Sequence, residues 1–461
     1  MPADGTLFGR LDRLNIVDLF CGAGGTSLGV QQALGYSPEA AINHWPYAIR
    51  VHAQNHPDTL HFEEDIFQVA PWEAARGKRV DLLVGSPSCV HFSVAKGSAP
   101  KDAGIRSQAE VFIRWAREIK PRVILLENVK EFLSWGPINE DGHPIQAQAG
   151  ESFKGWVQAL EAEGYRVGWK LLKACDFGAP TSRLRLFVVA RCDDQPIRWP
   201  EPSHGHGKLP YRTAAECIDW SIPCPSIFER KKPLAEATLK RIAAGIQKYV
   251  LTTAQPFLLC KSHGGRLEPL DRPLNTVTAG PKGGDRLLVA PSLIQMGYGE
   301  REGQPLRTLN LHKPLGTVVS GGNKFGLVAA FLAKHYTGAI GSDLRSPLGT
   351  VTAQDHHSLV AAFMTKFYGA GGTAQGIGAP LDTATTKARF GLVTVTLDGE
   401  PYVLSDIGMR MLAPRELARA QGFPDSYIFE GTKADQIAAI GNAVVPQVMA
   451  ALVRANLEAQ G

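Results

Sequence analysis

At 461 residues, 44% hydrophobic and 20% charged, the chain is too long for one ordinary core and too apolar to be disordered, so two domains are expected. No uninterrupted apolar run of about 18 residues occurs, and Met1-Pro2-Ala3-Asp4-Gly5 does not open a basic-then-apolar leader, so neither a membrane span nor a secretory signal is expected. The seven cysteines (Cys21, Cys89, Cys175, Cys192, Cys217, Cys224, Cys260) are scattered without a Cys-x-x-Cys pair, which argues against a metal site or a disulfide framework and for a reducing, cytoplasmic setting. The formal charge of +5 is mild, but residues 201–400 carry 22 Lys and Arg against 15 Asp and Glu, which leaves the remainder at about −2. A basic segment joined to a slightly acidic one suits a polyanion-binding module attached to a second unit.

Asn15 to Phe20 reads as a first strand. It runs into the glycine turn Cys21-Gly22-Ala23-Gly24-Gly25-Thr26-Ser27-Leu28-Gly29 and then a helix through Val30 to Leu34. Strand, glycine turn and helix open a nucleotide-type α/β fold, in which the helix N-terminus offers unpaired N–H groups. The spacing is neither G-x-G-x-x-G nor a phosphate loop, and a glycine turn alone is as readily structural. Ala41 to Trp45 and Glu63 to Ile66 mark the ends of a second and third strand, beside that turn in a doubly wound sheet. A polar group there can hold a ribose and an acid an adenine amine, although His44 and Asp65 alone also read as plain surface residues.

Val80 to Val84 is a short buried strand leading into Gly85-Ser86-Pro87-Ser88-Cys89-Val90-His91-Phe92-Ser93. A cysteine just past a strand end, behind a Gly and a Pro, is poorly placed for packing and well placed to present its sulfur, though a lone Cys is more often a small buried hydrophobe. Lys96 to Gly104 suits a mobile flap over a charged ligand or a plain surface loop. Val111, Ile113, Trp115, Ala116 and Ile119 share a helix face, and the strand from Pro121 to Leu126 ends in Glu127-Asn128-Val129. An acid there sits where such sheets bind ligands, or caps the next element. Gly178 to Ala190 enters a strand whose alternation puts Arg183 and Arg185 on one face, suited to an anion, a base edge or a salt-bridged sheet edge.

A Pro, Gly and His-rich stretch from Trp199 to Gly207 marks a boundary, and a helix is expected from Leu234 to Tyr249. One phrase then recurs four times, at Pro273–Thr278, Pro314–Val319, Pro347–Thr352 and Pro380–Thr385, each before an apolar strand. Three copies lead to polar–aromatic tips, Gln295 with Tyr298, Lys334 with Tyr336 and Lys366 with Tyr368, and Lys261 with His263 is a degenerate earlier one. Stacked or meandering strands whose tips follow a phosphate backbone are expected, or tips that merely cap the core. After Ser405 helices return: Arg410 to Pro424, then Gly441-Asn442-Ala443-Val444-Val445-Pro446 opening a final apolar helix that packs back on the first domain.

Taken together, Asp18 to Gly29, Gly85 to Ser93, Glu127-Asn128-Val129, Arg183-x-Arg185, Arg410 to Pro424 and Gly441 to Pro446 resemble the cytosine-5 DNA methyltransferases, bacterial or phage type, in order and spacing over roughly 14–195 and 405–461. The resemblance implies an α/β, Rossmann-like class I S-adenosylmethionine-dependent methyltransferase sheet with an inserted β-rich, repeat-containing target-recognition domain. The catalytic domain would be 1–200 with 405–461, and the insert 201–404. It implies Cys89 as nucleophile, Glu127 as the acid that engages the cytosine, and Arg183 and Arg185 in the same pocket. Phe20, Gly22, Gly24, Leu28, His44, Trp45, Asp65, Ile66, Asn442 and Val444 would hold S-adenosylmethionine, with no metal.

Carbon 5 of cytosine is too weak a nucleophile until a thiolate adds at carbon 6, and burial is expected to raise the Glu127 pKa so that a neutral acid can donate to ring nitrogen 3. The target base must first leave the duplex. Three positions depart from the family: Val90-His91 follow the cysteine where Gln is usual, His44 replaces the ribose acid, and Thr181 replaces a Gln. The implied partner is double-stranded DNA, with two settings equally open, beside a cognate restriction endonuclease or as a phage or prophage enzyme without one, and with a monomer as default. A transfer RNA cytosine-5 methyltransferase and a catalytically inactive DNA-binding relative are the alternatives.

Overall fold

The computed structural model describes residues 13–87, 107–219 (save 138, 140–142 and 144) and 400–457, isolated positions between 222 and 314, and the strands from 257 to 397. Strand residues between 257 and 409 are described as backbone. Cys89 and its loop, the Lys96 to Gly104 stretch, the Leu234 to Tyr249 helix and most of the four repeat phrases lie outside the described residues.

The first sheet has the order β3-β2-β1-β4-β5-β7-β6. Its strands are β1 (Ile16–Leu19), β2 (Ala40–Ile42), β3 (Leu60–Phe62), β4 (Leu82–Gly85), β5 (Val123–Asn128), β6 (Arg166–Lys173) and β7 (Leu184–Arg191). Strands β1 to β5 are mutually parallel, and β7 alone runs against its neighbours β5 and β6. Parallel strands covered on both faces read as continuous apolar runs. Alternation sends Val17, Leu19, Leu83, Ile124 and Leu126 to one face and Ile16, Leu82, Val84, Val123 and Leu125 to the other.

Helix α1 (Gly25–Leu34) follows β1, α2 (Pro46–Asn55) follows β2, and a single turn, α3 (Pro71–Ala74), follows β3. Helices α4 (Glu110–Ile119) and α5 (Glu151–Ala162) cover the first face, where Phe112, Trp115, Phe132 and Trp156 are buried. Gly35 ends α1 in the left-handed conformation, its N–H donating to the Gln31 carbonyl.

In the insert, β8 (Phe257–Leu259), β9 (Arg286–Val289), β10 (Ser292–Gln295), β12 (Gly326–Lys334), β17 (Glu400–Met411) and β16 (Thr394–Leu397) form a second sheet in the order β16-β17-β12-β10-β9-β8. Strand β11 (Thr308–Leu309) pairs with β10. A third sheet, β14-β13-β15, takes β13 (Phe363–Tyr368), β14 (Gly371–Gly376) and β15 (Phe390–Leu392). The repeat strands therefore do not stack in succession: β9 and β12 share one sheet, and the strand carrying Lys366 lies in another. The main partner of β12 is β17, which arrives from far along the chain.

Helices resume at Pro414, later than the composition implied, because β17 continues through Met411. They are α6 (Pro414–Gln421), α7 (Lys433–Asn442) and α8 (Pro446–Leu457). Helix α8 packs against α1 so closely that a Cβ on Gly29 would meet the Met449 Cβ and the Pro446 carbonyl oxygen at 2.7 Å. No uninterrupted apolar run occurs here either, but the stretch Lys433–Leu457, two helices with a break at 443–445, is by length and composition alone apolar enough to cross a membrane, at mean hydropathy 1.6. Yet 72% of that window is buried inside the protein, and its second helix, α8, closes the second core.

Candidate active site

Six strands of the first sheet end along its carboxyl edge, which is where open parallel sheets take ligands. The turn after β1 begins at Phe20, a non-glycine residue at φ 58, whose ring lies 6.4 Å from that of Phe112. Left-handed backbone at such a residue costs about 1 kcal/mol or more, which the surrounding contacts must offset. Gly22 (φ 52) and Gly24 (φ 91) carry the turn into α1, and Gly24 caps that helix with no side-chain acceptor. The first N–H groups of α1 are thus left for another acceptor.

The neighbouring strand ends are drawn beside this turn by backbone bonds. Cys21 N–H donates to the Ile42 carbonyl (3.1 Å) and Asn43 N–H to the Phe62 carbonyl (3.0 Å). Past β2, His44 is exposed and Trp45 half-buried, its ring 5.0 Å from Tyr47. Past β3, Asp65 is exposed and accepts from the Phe67 N–H, while Ile66 is buried. Leu28 is buried within α1. Asn442 is exposed and Val444 buried in the segment that reaches α1 from the far end of the chain; a Cβ on Gly25 would meet the Val444 carbonyl oxygen at 2.3 Å. These residues fit an adenosyl, amino-acid-bearing group: an uncapped helix start for a carboxylate, an aromatic ring for a base, and an open carboxylate for its amine. His44 supplies a ring nitrogen at the position where the family places a ribose acid.

On the other side of the edge, β4 ends at Gly85, packed so that a Cβ would meet the Leu19 carbonyl oxygen at 2.5 Å. Asn128 Nδ2 donates to the Pro87 carbonyl (3.3 Å), fixing the chain two residues before Cys89. Glu127, the penultimate residue of β5, is buried, with Arg185 Nε 3.3 Å and an Arg183 guanidinium nitrogen 4.0 Å from its Oε1. That oxygen has no hydrogen-bond partner. Burial pushes the carboxyl upward, and the two guanidinium groups, Arg185 first, pull partly the other way. Arg183 Nη1 also donates to the Gly441 carbonyl (3.1 Å), and Gln421 Nε2 to the Ala443 carbonyl (2.7 Å). The same arginine thus braces both the acid and the segment bearing Asn442 and Val444.

The sequence reading missed a polar cluster beneath the glycine turn. Ser27 Oγ–H donates to Asp18 (2.7 Å) and lies 2.9 Å from His52 Nε2, and His52 Nδ1 lies 2.8 Å from His61 Nε2. His56 lies beside them, its ring 4.6 Å from that of His52 and its Nε2 3.2 Å from the Tyr427 hydroxyl. Desolvation pushes the Asp18 carboxyl up to about 7, holds His56 down at about 4, and lowers His52 and His61. The visible signal was His52 and His56 at i, i+4 on one helix face, with His61 one strand later.

The strand order with its single reversed strand, the glycine turn and the edge site define a class I methyltransferase sheet of the Rossmann-like type. The family model for C-5 cytosine-specific DNA methylases matches residues 14–239 and 366–458. The Type II methyltransferase M.AgeI of Thalassovita gelatinovora is 34% identical over 202 residues, 42% of this chain and 43% of its own length. The Type II methyltransferase M.AquIA of a Picosynechococcus strain is 32% identical over 225 residues, 45% of this chain and 89% of its own length. The match thus spans under half of the first relative and most of the second. The crystal structure of the S. pombe Dnmt2 methyltransferase superposes with a TM-score of 0.47 at 13% identity, covering 96% of this chain and 97% of the other. The chain belongs to the C-5 cytosine-specific DNA methylase family.

Proposed function

We propose that this chain is a DNA (cytosine-5-)-methyltransferase that uses S-adenosylmethionine to methylate a flipped-out cytosine in a specific duplex sequence. The observation that carries the reading is Glu127: a buried acid whose Oε1 is ion-paired to two arginines at the sheet edge yet accepts no hydrogen bond. Bound at Phe20, Gly22, Gly24, Leu28, His44, Trp45, Asp65, Ile66, Asn442 and Val444, S-adenosylmethionine would supply an electrophilic methyl carbon on a sulfonium.

The remaining chemistry belongs to the chain. The Cys89 thiolate adds to carbon 6 of the ring, a new S–C bond forms, and the ring π pair moves to carbon 5. Glu127, whose carboxyl burial pushes toward the protonated form, donates to ring nitrogen 3 and quenches the charge that builds there. Arg183 and Arg185 orient that carboxyl. Carbon 5 would take the methyl group as the donor's sulfonium–carbon bond breaks and a neutral thioether leaves; loss of the carbon 5 proton to water then restores the ring double bond and expels the Cys89 thiolate. Residues 1–200 and 405–461 would form the catalytic domain, and 201–404 the recognition domain with its basic surplus. The proposed partners are double-stranded DNA and a cognate restriction endonuclease, with the enzyme a cytoplasmic monomer.

The test is covalent trapping on duplex DNA carrying 5-fluorocytosine, which blocks release. Wild type forms a denaturation-resistant adduct and Cys89→Ser forms none. Absence of an adduct with wild type overturns the reading, and adducts on 5-fluorocytosine transfer RNA alone move the substrate to RNA.

A further inference from the structure

Tyr427 reaches the glycine turn from the far end of the chain. Its hydroxyl donates to the Ala23 carbonyl at 2.6 Å, across 404 residues of sequence. The oxygen then lies 2.1 Å from where a Cβ on Gly24 would stand, and His56 Nε2 lies 3.0 Å from the same point. Those two polar groups occupy the space that the missing side chain leaves beneath the turn. Because the one tyrosine hydrogen goes to Ala23, the hydroxyl oxygen must accept from His56 Nε2–H. With the imidazole neutral, His56 Nδ1 accepts from the Ser37 hydroxyl, 2.8 Å away. The run Ser37–His56–Tyr427–Ala23 has one direction and needs a neutral imidazole, which burial favours.

The anchor is firm. Arg415 Nη1 donates to the Tyr427 carbonyl (2.7 Å), and the tyrosine ring packs 4.8 Å from Phe423 and 5.3 Å from Phe429. The next residues are tied to α2: Ile428 N–H donates to Asn55 Oδ1 (2.8 Å), Asn55 Nδ2 donates to the Ile428 carbonyl (2.9 Å), and the Tyr47 hydroxyl donates to the Glu430 carbonyl (2.6 Å). Helix α2 ends beside His56 itself. Apolar side chains would fill the space as well, but they would leave the Ala23 carbonyl buried and unpaired.

We propose that Tyr427 and His56 are positioning residues for methyl-donor binding: they set the Ala23–Gly24 peptide, and with it the start of α1, in the orientation that receives the donor. The inference rests on the reading of the turn as the donor site, and the test separates the two. S-adenosylhomocysteine is titrated calorimetrically into wild type, Tyr427→Phe, His56→Ala and His56→Gln, and donor KM and kcat are measured on duplex DNA. Tyr427→Phe keeps the ring and removes only the donor. It is expected to weaken binding about tenfold and to raise donor KM in parallel, with kcat within about twofold. His56→Ala should follow it, while His56→Gln, which keeps an N–H donor, should recover most of the loss. A role in packing alone would lower the melting temperature and leave KM unchanged, and that result overturns the proposal; so does a fall in kcat without a change in KM. If Tyr427→Phe does not fold, the His56 pair decides by the same criteria. Failure of wild type to bind S-adenosylhomocysteine removes the donor reading itself.

Discussion

Glu127 illustrates what burial does to one side chain. Its neighbours are cationic, and ion pairing alone would lower its pKa; enclosure at the end of β5 outweighs them and raises it. The acid form is therefore available below that raised pKa and lost as pH climbs through it. Glu127→Gln should cut methyl incorporation into duplex DNA at least about 100-fold, the usual scale for a positioned acid, with the melting temperature as a folding control.

The histidine cluster makes an independent prediction at the same scale. His56 is held neutral down to about 4, against an ordinary 6.5. The unfolded chain takes up a proton below 6.5 and the folded chain does not, so this contribution to stability is full above 6.5 and is lost as pH falls toward 4. His52 and His61, also lowered, act in the same direction. Asp18 acts oppositely: raised from 3.8 to about 7, its contribution is full below 3.8 and lost as pH rises through 7. Because Asp18 opposes the histidines over the same range, the difference between variants is what tests His56: between pH 7 and 4, urea unfolding should show stability falling toward acid less in His56→Gln than in wild type.

Among the elements, α6 is the joint between insert and sheet. Glu416 is fully buried and accepts two bonds from Arg410 (2.8 Å each), one from the Asp219 N–H (2.8 Å) and one from the Ala413 N–H (2.6 Å). Arg410 in turn donates to the Asp219 and Ile222 carbonyls. The pair thus clasps the strand leaving the insert to the chain entering it. A buried charge stripped of its partner costs about 3–5 kcal/mol, so Glu416→Gln should lower the urea midpoint by a corresponding amount. An unchanged midpoint would mean that the clasp contributes nothing. Elements also differed in how plainly their residues announced them. Strands β1, β4 and β5 are short apolar runs and were legible. Strand β6, partly exposed with Trp169 and Leu171 facing outward, carries no such run, and it is a strand because β7 offers it an edge to pair with.

For the whole molecule, the second core closes only when α8 arrives. Val448, Met449, Leu452 and Val453 are buried together with Ile16, Val84 and Leu125. A chain ending at Val445 would expose that face, and at ~1.5–3 kcal/mol per large apolar side chain the loss is comparable to the entire stability of a domain. It should lack cooperative thermal unfolding by circular dichroism. The residues by themselves determined the parallel sheet and the acid and arginines at its edge, because apolar runs, glycine turns and short motifs are local signals that survive without neighbours. Only the tertiary structure decided the rest: the pairing of β12 with β17, the clasp at Arg410 and Glu416, and the tyrosine and histidines under the glycine turn. Each joins residues far apart in the chain, and a polar side chain reveals nothing of its burial until the partner that satisfies it has been brought alongside.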